Sequence, residues 1–173
     1  APVQLEKAIQ YANSSIISKT LIDPSLKGMG TTVSMVTLAR HMAFWGHVGD
    51  SRIYLYRDGE FKQISVDHTI VQVLLEKGKI TEEEAMDHPQ RHVLTRAVGV
   101  DENLVVDSGA FEVQPKDRIL ICSDGLTSFI QKQELYDAIG DYRRTEREII
   151  NDLFARVYEN GAKDNITAIL TTI

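Results

Sequence analysis

The chain has 173 residues, of which 43% are hydrophobic, and this size suits one globular domain with a sizeable core. Its net charge of −6 argues against a broad basic face for nucleic acid. The single Cys122 excludes an intramolecular disulfide, and no apolar run approaches the roughly 18 residues of a membrane span. The acidity is typical of a soluble cytoplasmic protein or of one that collects cations, and we expect no binding to nucleic acid or to a membrane.

The first part of the chain predicts one helix followed by short strands. Apolar residues recur at helical spacing over Val3–Thr20. Alternating and β-branched residues then indicate strands, at Thr31–Leu38, His41–Val48, Arg52–Tyr56 and Phe61–Ser65. Asp58-Gly59 is a strong hairpin turn, and Gly49-Asp50-Ser51 is another short link. Strands joined by tight turns are antiparallel, which argues against a doubly wound parallel sheet.

A polar, charged segment separates these strands from the rest of the chain, and we call it the polar excursion. Charged and polar residues dominate it from Glu76 to His92. Thr69–Lys77 is predicted to be helical and to end at Gly78, and Thr81 with Glu84 forms a capping box for a second short helix. Strands are then predicted at Leu104–Val113 and Asp117–Cys122, helices at Lys132–Ile139 and Thr145–Asn160, and a last strand at Asn165–Ile173. The element order predicts an α+β fold in which helices cover antiparallel sheets.

Three aspartates share an unusual position at strand ends. Asp67 and Asp124 each follow a predicted strand, and Asp164 precedes the last one. Carboxylates from separate strand ends can converge on one edge of a sheet, and Mg²⁺ and Mn²⁺ prefer such oxygen ligands. The alternative for each aspartate alone is a turn or a helix cap; Asp124, for example, would cap the segment 126–130. Three matching contexts favour the metal site over this alternative.

Other catalytic motifs are absent from the sequence. There is no phosphate-binding loop, and Gly28-Met29-Gly30 precedes a strand instead of opening a helix, which excludes a dinucleotide fingerprint. The histidines lack the spacing of a zinc site. His88 and His92, in the polar excursion, are the candidates for proton donors.

Six short stretches, in order along nearly the whole chain, resemble the metal-dependent protein serine/threonine phosphatases of the PP2C (PPM) family in their bacterial form. They are Gly28-Met29-Gly30-Thr31-Thr32, Val48-Gly49-Asp50-Ser51-Arg52, Asp67-His68-Thr69, His88-Pro89-Gln90-Arg91 with Leu94-Thr95-Arg96-Ala97-Val98-Gly99, Ser123-Asp124-Gly125-Leu126, and Lys163-Asp164-Asn165-Ile166-Thr167.

The resemblance implies an antiparallel β-sandwich flanked by helices, formed by residues 1–173 as a single phosphatase domain, with residues 69–95 as a flap subdomain. It also implies two core Mn²⁺ or Mg²⁺ ions, with Asp124 and Asp164 as ligands. Asp67 would be the ligand of a third, weaker metal that it shares with Asp124. His92 is a candidate for protonating the leaving oxygen.

The function implied by the resemblance is hydrolysis of phosphoserine and phosphothreonine in proteins by a metal-bridging hydroxide. Phosphorylated proteins would be the substrates, and a Ser/Thr protein kinase would be the counterpart. Two alternatives remain open. One is a catalytically inactive PP2C-like module that binds phosphoproteins or a partner kinase, and the other is a structural domain that binds Ca²⁺ or Mg²⁺.

The chain departs from the family pattern at its start. Family members begin with further strands that carry an Asp-Gly-Met-Gly-Gly motif, whose Asp bridges the two core metals. This sequence lacks them, so we expect an N-terminally incomplete domain that binds two metals poorly by itself. A fragment, a natural truncation and completion by another chain are the three explanations, and the Ala1-Pro2 start favours the first.

Overall fold

The computed structural model describes residues 2–162 and 164–173, which form six α-helices and seven β-strands. The helices are α1 (Pro2–Ile22), α2 (Ile70–Glu76), α3 (Glu82–Met86), α4 (Asp124–Thr127), α5 (Lys132–Gly140) and α6 (Glu146–Glu159). The strands are β1 (Val33–Ala39), β2 (Met42–Val48), β3 (Arg52–Arg57), β4 (Glu60–Gln63), β5 (Asp107–Glu112), β6 (Arg118–Cys122) and β7 (Ala168–Thr172).

The strands form two sheets, with the orders β1-β2-β5 and β4-β3-β6-β7. The pairs β1–β2, β3–β4, β3–β6 and β6–β7 are antiparallel, and the tight turns predicted this for β1–β2 and β3–β4. Asp58 and Gly59 both have positive φ, 48° and 83°, and close the tight β3–β4 hairpin that the sequence predicted. The contacts divide the chain into two compact units, each containing its own hydrophobic cluster.

The first unit comprises the chain up to Asp50 together with Val66–Phe111. Helix α1 packs on β2, and Gly46 allows this approach because a Cβ there would lie 3.1 Å from Ile9 Cδ1. The core cluster lies beneath α1 and is formed by Ile9, Val48, Val98 and Leu104.

The second unit comprises Ser51–Ser65 and Glu112–Ile173. Four of the five residues of β6 are buried, which agrees with the apolar run that predicted this strand. Helices α4, α5 and α6 cover the four-stranded sheet through apolar side chains, among them Leu126, Leu135, Ile139, Ile149 and Leu153. The lone Cys122 is a buried core residue here, as expected.

Arg118, at the start of β6, organises the turn between α5 and α6. The side chain is 3% exposed, and its guanidinium donates to the carbonyl oxygens of Ile139 at 2.7 Å and of Arg144 at 3.2 Å. It also lies 4.2 Å from the centre of the Tyr142 ring. One buried cation therefore binds a carbonyl group at the end of α5 and another in the turn that leads to α6.

The predicted fold is wrong in its run of consecutive hairpins and in where two strands begin; the strand expected over Asn165–Ile173 starts only at Ala168. The chain was expected to run through consecutive hairpins, but β2 and β3 belong to different sheets. Gly49 lies at this change of sheet with a φ of +113°, where a Cβ would lie 2.3 Å from Thr32 Cγ2. The strand expected over Leu104–Val113 begins only at Asp107, since Leu104 is a loop residue whose side chain enters the first core.

The polar excursion contains α2 and α3, as predicted. Thr69 caps α2, and Thr81 with Glu84 forms the expected capping box of α3. The limits of a flap at residues 69–95 remain a prediction.

Candidate metal centre

Asp124 is the first residue of α4 and is separated from the end of β6 by Ser123 alone. The N-cap position belongs to Ser123, whose side chain makes no capping bond to α4. Ser123 instead joins the neighbouring segment, because its N–H donates to Thr167 O at 2.9 Å and its Oγ accepts from Thr167 N at 3.1 Å. The Asp124 carboxylate is therefore held at the end of a buried strand, half-buried, and does not take the cap position of α4.

Gly125 brings the segment before β7 against the start of α4. A Cβ at Gly125 would lie 2.2 Å from the carbonyl oxygen of Asn165, a distance that no side chain can occupy. Asp164, which precedes Asn165, is exposed, and its Oδ1 accepts from the Asn165 N–H at 2.7 Å. Two of the predicted metal ligands thus lie on backbone segments that touch each other. Lys163, part of the same motif, lies outside the described residues.

Asp67 lies in the first unit, between β4 and α2, and is half-buried. The residue after it, His68, is fixed on both its backbone and its ring. His68 N donates to Gly49 O at 2.7 Å, and the Gly49 N–H donates to His68 Nδ1 at 3.0 Å. Contacts of its neighbour with the end of β2 therefore help to set the position of Asp67.

His68 and His47 form a buried pair with ring centres 4.8 Å apart. His68 Nε2 lies 2.9 Å from Asp107 Oδ2, and the other oxygen of Asp107 accepts from Arg96 at 2.6 Å. His47 contacts Ser34 Oγ through Nδ1 at 2.8 Å and Val66 O through Nε2 at 3.1 Å. Burial lowers the pKa of His68, and burial together with the neighbouring His68 lowers the pKa of His47 to about 4.

Sequence reasoning missed Asp107 and Arg96 as members of this network. Arg96 belongs to one of the stretches that resemble the family, but the sequence predicts no role for it. Asp107 is predicted only as part of a strand. Desolvation opposes charge on Asp107, but hydrogen bonds from Arg96 and His68 outweigh it and lower the pKa of its carboxyl. A lone carboxylate at the start of a strand, far in sequence from its partners, gives no local signal of such a role.

His92 is exposed, in the turn that ends the polar excursion. Its Nε2 lies 3.0 Å from Arg91 Nε, which donates to it, so the ring of a neutral His92 carries its proton on Nδ1. His88 is half-buried, and its Nδ1 accepts from the Gln90 N–H at 3.1 Å. Both candidate proton donors thus belong to one turn.

The donor set fits hard divalent cations in part. Over residues 2–162 and 164–173, no three His, Cys, Asp or Glu side chains form a group that would hold a metal ion. Mg²⁺ keeps several waters and is commonly bound through only one or two carboxylates, which Asp124 and Asp164 supply.

In the described part of the chain, no helix is both long and apolar enough to span a membrane.

Comparison with known proteins identifies the family. A family model described as Protein phosphatase 2C matches residues 2–171. The chain belongs to the protein phosphatase 2C family. The serine/threonine phosphatase stp of Listeria monocytogenes is 36% identical over 166 residues, which are 96% of this chain and 66% of that protein. The serine/threonine protein phosphatase PstP of Mycobacterium tuberculosis is 35% identical over 98% of this chain and 32% of its own length.

Solved PP2C structures share the fold over the whole chain. The serine/threonine phosphatase Stp1 of Staphylococcus aureus matches with a TM-score of 0.95 at 31% identity, over 100% of this chain and 68% of that one. The Mycobacterium tuberculosis phosphatase PstP/Ppp matches with a TM-score of 0.92 at 35% identity, over 99% and 72%. The catalytic domain of PstP, solved with two manganese ions, matches with a TM-score of 0.86 at 33% identity, over 98% and 70%. The predicted fold class is confirmed.

This chain spans 66% of the length of its Listeria relative and 32% of that of the mycobacterial relative.

Proposed function

We propose that this chain contributes to metal-dependent hydrolysis of phosphoserine and phosphothreonine in proteins. The observation that carries the proposal is the contact of Gly125 with Asn165, which brings the segments of Asp124 and Asp164 together within a chain of the PP2C family. The names of the relatives, which are serine/threonine phosphatases, support the substrate class.

Asp124 and Asp164 would hold the core divalent cations, Mn²⁺ or Mg²⁺, and Asp67 would hold a further one. Carboxylate oxygens suit both ions, and a relative solved with two manganese ions supports manganese. When bound, such cations supply an activated water and neutralise charge on the phosphoryl oxygens. The contribution of the chain is to fix carboxylates at the rigid end of β6 and in the segment that packs against it.

His92, in its protonated imidazolium form, would donate a proton to the leaving serine or threonine oxygen. A serine alkoxide is a poor leaving group and needs this proton, whereas nitrophenolate does not. His92→Asn should therefore slow hydrolysis of a phosphothreonine peptide about 100-fold and leave hydrolysis of para-nitrophenyl phosphate almost unchanged. His41→Asn, in the exposed turn after β1, is the matched control. Equal loss on both substrates would remove His92 from the acid role.

The segment 69–95 would act as a flap that contacts the phosphoprotein, and a Ser/Thr protein kinase would supply the substrate. We place this cycle in the bacterial cytoplasm. The bacterial sources of the relatives support the setting.

The test is hydrolysis of a phosphothreonine peptide with Mn²⁺ and with EDTA. The chain is assayed alone and after fusion to a segment that carries the Asp-Gly-Met-Gly-Gly motif. We expect Mn²⁺-dependent turnover in the fusion that Asp124→Asn abolishes and that Asp137→Asn, on the exposed face of α5, preserves. A fused chain that binds the phosphopeptide without turnover would refute the proposal and favour the inactive binding module.

A further inference from the structure

The segment 69–95 is closed at its base by a short two-stranded contact. Thr69 and Leu94 form an antiparallel bridge, the Ile70 N–H donates to Val93 O at 2.9 Å, and the Thr95 N–H donates to His68 O at 2.8 Å. We call residues 68–70 and 93–96 the neck. Any change in the position of His68 therefore changes the neck and Asp67 together.

The ring of His68 ties the neck to the rest of the first unit. The Gly49 N–H donates to Nδ1, so this nitrogen is an acceptor and a neutral ring carries its proton on Nε2. That proton points to Asp107 Oδ2 at 2.9 Å. Because the His68 side chain is only 1% exposed, water cannot replace either bond.

Asp107 joins both arms of the neck. One carboxylate oxygen accepts from His68, in neck residues 68–70, which follow Asp67. The other accepts from Arg96 Nη1 at 2.6 Å, in neck residues 93–96. Arg96 Nη1 also donates to Val105 O at 3.2 Å, close to the start of β5. The aspartate thus bridges two segments that are separated by the whole excursion, and it does so from a strand of the sheet.

We propose that Asp107 is a positioning residue that fixes the neck and, through His68, the carboxylate of Asp67. The inference rests on the proposed function in one respect, since it takes Asp67 to be a metal ligand. Arg96 supplies the counter-charge that keeps Asp107 ionised and oriented. The role is distinct from catalysis, because Asp107 acts on Asp67 only through His68.

The first test needs no metal and no turnover. Hydrogen exchange at the amides of Ile70 and Thr95 is measured by NMR in the wild type, in Asp107→Asn and in the control Glu102→Gln, which removes an exposed charge from the preceding loop. We expect neck exchange to rise about tenfold in Asp107→Asn, from the loss of a charged hydrogen bond, with β1–β2 amides unchanged. Unchanged neck exchange, or equal acceleration throughout the first unit, would overturn the proposal.

Two further measurements keep the proposal testable if Asp107→Asn does not fold. Arg96→Lys keeps the charge but loses the planar fork, and it should accelerate neck exchange by a smaller factor. In the wild type, nitrogen chemical shifts should show the His68 proton on Nε2. A proton on Nδ1 would contradict the bond to Asp107 and overturn the proposal.

Magnesium binding separates this proposal from the proposed function. In a Mg²⁺ titration of the chain fused to a motif-bearing segment, followed at the ¹³Cγ of each aspartate, Asp107→Asn should raise the half-saturating concentration at Asp67 about tenfold and leave that at Asp164 unchanged. The same half-saturating Mg²⁺ concentration at Asp67 in the variant and the wild type would overturn the positioning role of Asp107. A wild type without any Mg²⁺ response would instead refute the proposed metal site, and the exchange result alone would then decide the role of Asp107.

Discussion

Acidification should destabilise the fold through His47. The side chain is fully buried between Ser34 and the Val66 carbonyl, and its pKa is lowered from 6.5 to about 4. The charged groups that face it are His68, Asp67 and Asp107. Desolvation and His68 oppose protonation and together outweigh the two carboxylates, so His47 stays neutral in the folded protein while the unfolded chain takes up a proton below about pH 6.5.

The sign and size of the effect follow from this difference. A group whose pKa is lower in the folded state costs stability as pH falls below its unfolded value, and the loss ends below its folded value. Between pH 6.5 and about 4, His47 alone should remove about 3 kcal/mol from the free energy of unfolding, of which about 2 kcal/mol is lost by pH 5.

The assay is urea unfolding of the wild type and His47→Gln between pH 8 and pH 5. Loss of the imidazole contacts should make the variant less stable at pH 8 by about 1–3 kcal/mol. Between pH 8 and pH 5 the wild type should lose about 2 kcal/mol more of its free energy of unfolding than the variant loses. The reason is that only the wild type carries the His47 titration, while both proteins retain His68. Parallel curves would refute the reasoning.

Three further substitutions test how the second unit holds its loops. Gly125→Ala places a methyl group against Asn165 O and should lower the free energy of unfolding by about 2 kcal/mol or more, measured by urea unfolding. In the chain fused to a motif-bearing segment, it should also weaken Mn²⁺ binding, measured by calorimetry. Asp117→Asn breaks a pair with Arg57 at 2.6 Å in which the Asp117 side chain is 2% exposed, and it should cost about 3 kcal/mol by urea unfolding. Arg118→Lys keeps the charge but cannot reach the same carbonyl groups, and thermal unfolding should show a loss of about 2 kcal/mol.

Gly125→Ala and Asp117→Asn each have a control on the surface of the same unit. Ser128→Ala, at the exposed end of α4, and Glu60→Gln, exposed on β4, should change the free energy of unfolding by less than about 0.5 kcal/mol. A Gly125→Ala protein as stable as Ser128→Ala would show that the contact with Asn165 is not tight. An Asp117→Asn protein no weaker than Glu60→Gln would show that the buried pair contributes nothing.

Local signals predicted most of the elements. The Asp58-Gly59 turn and the capping box of Thr81 with Glu84 act within a few residues, so the sequence alone determines them. β2 and β3 belong to separate sheets, and the chain turns between them at Gly49, which has a positive φ and packs against Thr32. Thr32 is distant in sequence, so the sequence by itself does not distinguish this turn from a hairpin.

The candidate site was predictable only as a set of residues. Asp124 and Asp164 follow from the motifs, but the contact that joins their segments depends on the missing side chain of Gly125. The bond from His68 to Asp107 joins residues 39 positions apart, and no periodicity encodes it. Long-range pairing of this kind requires the folded chain.

The most direct test of the proposed metal centre is a Mg²⁺ titration of the chain fused to a motif-bearing segment, observed at the ¹³Cγ signals of Asp124 and Asp164. If these aspartates belong to one centre, both signals shift with Mg²⁺, and Asp124→Asn weakens the response at Asp164. An Asp164 signal that does not respond, or that responds identically in Asp124→Asn, would contradict the account.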